Sequence, residues 1–101
     1  MVQLTKISPK VCAMPDDRHE NLYIEVELPG VDREDIFLTM HADSFMIKAK
    51  KENMEYSGSY TVCCPIEYEK ARAKYKNGLL TINVPYKKPV MKGKSINIEE
   101  T

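Results

Sequence analysis

The sequence lacks the features that mark several large classes of protein. It contains no tryptophan and only four glycines, and no apolar run approaches the ~18 residues of a membrane-spanning helix. Fifteen basic side chains balance fifteen acidic ones, so no overall field favours nucleic acid or an anionic membrane. The first residues also lack the apolar stretch of a signal peptide. We therefore predict a cytoplasmic protein that binds neither nucleic acid nor membrane.

The residue combinations that carry catalysis are missing as well. The glycines are scattered and each fits a turn, so no loop is suited to hold phosphate. His19 and His41 fall in polar connections, where a surface histidine is the expected role. No nucleophile with a base, carboxylate pair or metal-ligand cluster stands out. We predict no enzymatic activity, no cofactor and no metal site.

The three cysteines, Cys12, Cys63 and Cys64, are an odd set without the spacing of a zinc site. Cys63 and Cys64 are predicted within a strand, where adjacent side chains point to opposite faces, so we do not expect them to act as a pair. Small apolar side chains in a reducing compartment are the favoured interpretation. A redox role stays open, and Cys63 on an outward face could approach its counterpart across a two-fold interface.

Alternation of apolar and polar residues is the dominant pattern that is present. In LYIEVEL (22–28) every second residue is apolar, and Pro29-Gly30 ends the run. The same period recurs along the chain. The predicted strands cover residues 10–14, 22–28, 36–40, 45–51, 60–66, 70–76 and 79–85. Seven short strands separated by turn signals predict an all-β protein, an immunoglobulin-like antiparallel β-sandwich.

One stretch is ambiguous between helix and strand. EYEKARAKYK (67–76) has a helical composition, yet its alanines and Tyr75 alternate with basic residues. Asn77-Gly78 favours a strand, because this dipeptide is the strongest short signal for a hairpin. The strand LLTINVP (79–85) follows it, so its partner must lie directly before Asn77. We therefore expect residues 1–8 to form a short arm, 9–86 the sandwich, and 87–101 an extended tail.

Several stretches resemble the α-crystallin domain of small heat-shock proteins. They are ELPGVDREDI (27–36), the strand FMIKAKK, the block CPIEYEKARAKYKNGLLTINVPY (64–86), and the triplet Ile96-Asn97-Ile98. The match runs in the right order from about Pro9 to Ile98. The resemblance implies a sandwich of seven to nine strands that acts as an ATP-independent chaperone, holds unfolding client proteins in soluble form, and forms dimers and larger homo-oligomers.

The resemblance also implies a role for the tail. In the family the I-x-I triplet docks into a groove of a neighbouring subunit, between the strand after the Pro-Gly turn and the strand before the Asn-Gly turn. In this sequence the facing residues are Ile36, Leu38 and Met40 on one side and Ala71, Ala73 and Tyr75 on the other.

The spacing of the triplet supports that role independently. Ile96 and Ile98 are two residues apart, so in an extended arm both side chains point the same way. Burying each contributes roughly 1.5 to 3 kcal/mol before the cost of ordering the arm. One docked tail is therefore bound weakly, with a dissociation constant near the millimolar range that ~4 kcal/mol corresponds to. Several contacts in a symmetric assembly would hold through effective concentration.

Three departures from the family pattern keep an alternative open. Only residues 52–59 separate FMIKAKK from the next predicted strand, too few for the long loop through which bacterial, archaeal and plant members exchange a strand. The amino-terminal arm is short, and Tyr60 falls near the position where members often carry arginine. The alternative is a CS-type co-chaperone or adaptor module that binds one folded partner, which the I-x-I tail argues against.

Overall fold

The computed structural model describes residues 5–87 and 94–100, and an all-β sandwich of eight strands with two short 3-10 helices accounts for the regular structure in those ranges. The strands are β1 (Thr5–Ile7), β2 (Lys10–Pro15), β3 (Asn21–Glu27), β4 (Ile36–Met40), β5 (Ser44–Lys51), β6 (Met54–Thr61), β7 (Arg72–Lys76) and β8 (Leu79–Pro85). The 3-10 helices are Arg33–Asp35, before β4, and Tyr68–Lys70, before β7. The predicted fold class is confirmed.

The strands form two four-stranded sheets. The first sheet has the order β1-β6-β5-β4 and the second the order β2-β3-β8-β7. All pairings are antiparallel except β1 with β6, which is parallel and matches Thr5 with Met54 and Ile7 with Tyr56. The chain crosses from one sheet to the other between β1 and β2, between β3 and β4, and between β6 and β7.

The core lies between the inward faces of β3, β5 and β8. Period two in each strand sends every second side chain inward, and the register of β3 with β8 places Ile24 opposite Ile82 and Val26 opposite Leu80. The buried apolar residues are Leu22, Ile24, Val26, Leu28, Val31, Phe45, Ile47, Ala49, Ile66, Leu80, Ile82 and Val84. These central strands are the ones whose alternation is clearest in the sequence.

The predicted hairpin at Asn77-Gly78 is present between β7 and β8. Asn77 has φ 51° and Gly78 has φ 81°, the left-handed conformations that such a turn needs. The Gly78 carbonyl also accepts a hydrogen bond of 2.8 Å from the Leu28 amide, which fixes the hairpin to the end of β3. The ambiguous segment 67–76 resolves into the 3-10 helix and β7.

The prediction of a strand at residues 60–66 is wrong in its bounds. β6 begins at Met54 and ends at Thr61, so the predicted connection 52–59 is mostly strand and only Glu52 and Asn53 form the turn after β5. The period-two pattern of β6 is hidden because Gly58 occupies an inward position. A Cβ there would collide with the ring and hydroxyl of Tyr60, which stacks on Phe45 with ring centroids 5.1 Å apart.

The expected positions of the cysteines are wrong for the same reason. Cys63 and Cys64 lie beyond the end of β6 in a bend, so they do not point to opposite faces of a strand. All three cysteines are exposed rather than buried. Within the predicted arm, Thr5–Ile7 form β1, a strand too short and too exposed to leave a pattern in the sequence. Residues 1–4 and the tail residues 88–93 and 101 lie outside the described residues.

Replacing Gly78 by alanine should destabilise the domain. A left-handed conformation costs a residue with a Cβ about 1–2 kcal/mol, and the new Cβ would lie 3.1 Å from the Pro29 Cα. Urea unfolding should show the lower free energy of unfolding. Asn77→Gly is the matched control, because glycine adopts the same left-handed conformation, and its stability should stay within about 0.5 kcal/mol of the parent. Equal stability of the Gly78→Ala variant and the parent would contradict this account of the turn.

Candidate functional site

A shallow cavity lies where the two sheets meet at one side of the sandwich. β4 is an outer strand of the first sheet and β7 is an outer strand of the second. The cavity between them has a volume of about 230 Å³. Its lining consists of Arg33, Ile36, Leu38, Ala73, Lys74, Tyr75 and Leu80. We refer to this set as the β4/β7 groove.

The apolar part of the groove follows from the alternation of β4. Ile36 and Leu38 face inward and are half-buried, whereas Phe37 and Thr39 between and beside them are exposed. β4 pairs with β5 along one edge only. Inward side chains of an outer strand are therefore covered incompletely, which leaves apolar surface along the opening.

Four of the six predicted groove residues line this cavity: Ile36, Leu38, Ala73 and Tyr75. The other two, Met40 and Ala71, are partly buried against the core and are not part of the lining. Sequence reasoning missed Leu80, whose place beside Tyr75 follows from the register of β7 with β8. It also missed Arg33, which the 3-10 helix before β4 brings to the groove, and Lys74.

Tyr75 fixes one wall of the groove to the rest of the domain. Its hydroxyl lies 2.6 Å from the Leu28 carbonyl oxygen and 2.8 Å from the Val31 carbonyl oxygen, so its single proton is shared between two acceptors. Both carbonyls belong to the turn that connects β3 to β4. The tyrosine therefore joins β7 to the segment that positions β4, across the same opening that forms the groove.

Both charged side chains in the groove lining are cationic, and two carboxylates follow the tail isoleucines. Arg33 and Lys74 belong to the groove lining. Glu99 and Glu100 immediately follow Ile98 in the sequence. An extended segment that placed its isoleucines in the groove would carry its carboxylates near these cations, which favours the contact by electrostatic complementarity.

The tail isoleucines are largely exposed to solvent. Ile96 is 71% exposed and Ile98 is 92% exposed, and residues 94–100 form no regular structure. Other large apolar side chains are exposed on the sandwich, among them Phe37 and Met46. Exposed isoleucines at alternate positions are typical of a segment that binds to another surface.

The titratable side chains of the described residues do not form a metal-binding cluster. Within residues 5–87 and 94–100, no three His, Cys, Asp or Glu side chains lie close enough to hold a metal ion. The Asn21 amide is the main cause that lowers the pKa of Asp16, an exposed carboxyl in the turn between β2 and β3. The described part of the chain also contains no helix long and apolar enough to cross a membrane.

The two-layer sandwich has an apolar groove at its edge, and the tail carries two exposed isoleucines. Comparison with known proteins identifies the family of this chain. The sequence model of the Hsp20/alpha crystallin family matches residues 15–99. The chain belongs to the Hsp20/alpha crystallin family, the small heat-shock proteins, and this membership supports a chaperone role.

Relatives with similar sequences come from bacteria. The chain is 29% identical over 100 residues to the "Probable 15 kDa heat shock protein" of Leptospira interrogans, which covers 85% of this chain and 75% of the relative. It is 31% identical over 113 residues to the "Small heat shock protein C4" of Rickettsia felis, covering 93% of this chain and 69% of the relative.

Solved structures show the same fold. Heat shock protein 16.0 from Schizosaccharomyces pombe superposes with a TM-score of 0.69 at 22% identity, over 92% of this chain and 99% of that one. A small heat-shock protein from Xylella fastidiosa, whose structure is described as a distinct high order structure, superposes with a TM-score of 0.69 at 15% identity, over 93% of this chain and 98% of that one.

Replacing Tyr75 by phenylalanine should loosen the wall of the groove. The change leaves the ring in place and removes the only side-chain hydroxyl bonded to the carbonyls of Leu28 and Val31 in the described part of the chain. We expect the free energy of unfolding to fall by about 1–2 kcal/mol, measured by urea denaturation. Tyr68→Phe, at an exposed position on the neighbouring 3-10 helix, is the control and should be neutral. Equal stabilities of the two variants would show that the Tyr75 hydroxyl does not brace the domain.

Proposed function

We propose that this protein is an ATP-independent chaperone that holds unfolding proteins in soluble form and assembles by docking its I-x-I tail into the β4/β7 groove of another copy. The observation that carries the proposal is that one chain presents both an apolar edge groove and an exposed pair of isoleucines of matching period. The family of the chain supports the chaperone part, and the geometry supports the mode of assembly.

The periods of the tail and the groove match. Ile96 and Ile98 are separated by two residues, which in an extended chain is about 6.6 Å. Ile36 and Leu38 on β4 have the same separation, as do Ala73 and Tyr75 on β7. An extended tail laid along the groove would therefore place both isoleucines against the same repeat on each wall.

The backbone of the groove walls offers further contacts. β4 and β7 are outer strands, and an outer strand presents N–H and C=O groups that an added extended segment can bond. Main-chain bonds of this kind give affinity without requiring more side chains, and the two isoleucines then select the register. Arg33 and Lys74 add attraction to the two glutamates that follow Ile98.

Assembly through many weak contacts suits a protein that must release and rebind. Burying each isoleucine is worth roughly 1.5 to 3 kcal/mol before ordering costs, so one docked tail dissociates readily. In a symmetric assembly each copy docks its own tail and receives the tail of another copy. The contacts already formed hold the remaining tails close to their grooves, which raises the effective concentration of those tails. The assembly can then persist while individual tails exchange.

The outer face of the first sheet is our candidate for client contact. Phe37 is 61% exposed and Met46 is 48% exposed. Phe37 pairs with Lys48, which is two residues from Met46 on the same face, so the two apolar side chains are diagonal neighbours across β4 and β5. An aromatic ring beside a flexible methionine forms an adaptable apolar patch that can contact many unfolded segments.

We place the protein in the cytoplasm. Cys12, Cys63 and Cys64 are all free and exposed, and exposed free thiols persist in a reducing compartment. The absence of a nucleotide-binding loop from the sequence agrees with activity that does not depend on ATP.

Replacing Ile96 and Ile98 by serine should reduce the assembly to a smaller species. The double variant removes the apolar side chains that the groove would bury, so sedimentation velocity should show a lower mass than for the parent. Glu99→Ser with Glu100→Ser is the control for altered tail composition and should weaken the assembly less, mainly at low salt. Ala73→Asp, at an exposed position on β7, should act like the isoleucine variant from the groove side.

An unchanged sedimentation profile for the isoleucine variant would contradict tail docking. A parent protein that is a strict monomer would instead favour the adaptor alternative, in which the module binds one folded partner.

Suppression of client aggregation should depend on the apolar patch formed by Phe37 and Met46. The parent at stoichiometric ratio should suppress light scattering from a heated client protein equally with and without ATP, and Phe37→Ser with Met46→Ser should suppress it less. Lys50→Ser, on the same outward side of β5, is the control and should behave as the parent. Equal scattering with and without the parent protein would contradict the proposed activity, and full activity of the double variant would exclude this patch as the client site.

A further inference from the structure

The bend at Cys63 and Cys64 is held at both ends. On one side the Val62 amide donates a hydrogen bond of 2.9 Å to the Asp43 carbonyl. On the other side Ile66 bridges to Tyr86, and its amide donates a hydrogen bond of 2.8 Å to the Ala42 carbonyl. The two cysteines therefore occupy a short connection between fixed points and outside any strand ladder.

Within this bend the two thiols lie side by side. The Sγ atoms are 2.9 Å apart, and both side chains are exposed. A disulfide bond needs a sulfur separation of about 2.05 Å, so a small local movement would bring the pair to bonding distance. Adjacent residues of a strand do not reach this arrangement, because their side chains diverge.

We propose that Cys63 and Cys64 form a vicinal dithiol that low-molecular-weight disulfides such as oxidised glutathione convert reversibly to an intramolecular disulfide. This is a modification site on the domain and does not depend on the proposed chaperone activity.

The exchange proceeds in two balanced steps. The thiolate of one cysteine attacks one sulfur of oxidised glutathione, which forms a mixed disulfide and releases one glutathione thiolate. The other cysteine gives its proton to that glutathione thiolate and attacks the sulfur of the first cysteine, which forms the Cys63–Cys64 bond and releases the second glutathione. The second glutathione takes up the proton that the first cysteine had lost. Two protein thiols are oxidised and one glutathione disulfide is reduced to two thiols.

The contact between the thiols couples their titration. The hydrogen bond with Cys63 is the main cause that raises the pKa of the Cys64 thiol. Because either sulfur can donate that hydrogen bond, either cysteine can attack first. Because the ring that closes between adjacent residues is strained, the product should be easily reduced again.

The site lies at a second opening of the sandwich. Cys63 belongs to the lining of a cavity of about 580 Å³ between β2 and β6, together with Val11, Tyr60 and Tyr86. Burial is the main cause that raises the pKa of the Tyr86 hydroxyl, and the adjacent cysteines add to it. Oxidation would therefore change the rim of this cavity, away from the β4/β7 groove.

The test is to equilibrate the full-length reduced protein with mixtures of reduced and oxidised glutathione, block remaining thiols by alkylation, and measure intact and peptide masses. We expect a main product that has lost two hydrogen atoms, with Cys63 and Cys64 protected from alkylation and the reduced form restored by excess reduced glutathione. The Cys12→Ser variant should behave in the same way.

The single cysteine variants test whether the intramolecular disulfide needs both thiols. Cys63→Ser and Cys64→Ser each keep one thiol of the pair, and that thiol should stop at the mixed disulfide with glutathione. Circular dichroism establishes that each variant is folded. Parent protein in which both cysteines remain alkylated, or carry stable glutathione, or form disulfide-linked dimers on a non-reducing gel, would overturn the proposal.

Discussion

The structure depends on burial of the inward faces of three central strands. Burial alternates along β3, β5 and β8, and their inward side chains are buried, with Ile24, Ile47 and Ile82 completely removed from solvent. Each such side chain contributes roughly 1.5–3 kcal/mol, and a slip of one residue in register would turn every one of them outward. The alternation along each strand, the pairing register and the packing of the two sheets therefore depend on one another.

The outer strands bury their inward side chains less completely than the central strands do. Inward residues at an outer strand have a neighbour on one side only, so apolar surface remains where the sheets meet. One opening, between β4 and β7, is braced by the Tyr75 hydroxyl and bordered by Arg33 and Lys74. Another opening lies between β2 and the part of β6 beyond its pairing with β1, and its lining includes Cys63. One architecture thus leaves two edge cavities with different linings.

Strands could be predicted from the sequence where apolar and polar residues alternate without interruption. They were misplaced where another residue type interrupts the alternation. The hairpin at Asn77-Gly78 was predictable because two adjacent residues must adopt positive φ. β6 was misplaced because Gly58 makes room for the Tyr60 ring, a contact between alternate residues that period counting treats as a gap. The misplaced strand then hid the approach of Cys63 to Cys64. In the groove, residues on regular strands were predictable, whereas Arg33 depends on how a 3-10 helix enters β4.

Docking of the tail in the β4/β7 groove is tested most directly by titrating the peptide KSINIEET into isotope-labelled full-length protein that carries Ile96→Ser and Ile98→Ser, observed by NMR. We expect saturable shifts centred on Leu38 and Ala73, with a dissociation constant in the millimolar range that ~4 kcal/mol corresponds to, and no shifts with a peptide that has serine at both isoleucine positions. Shifts centred on Val11 and Tyr60 at the other opening, or no shifts at millimolar peptide, would contradict docking in this groove.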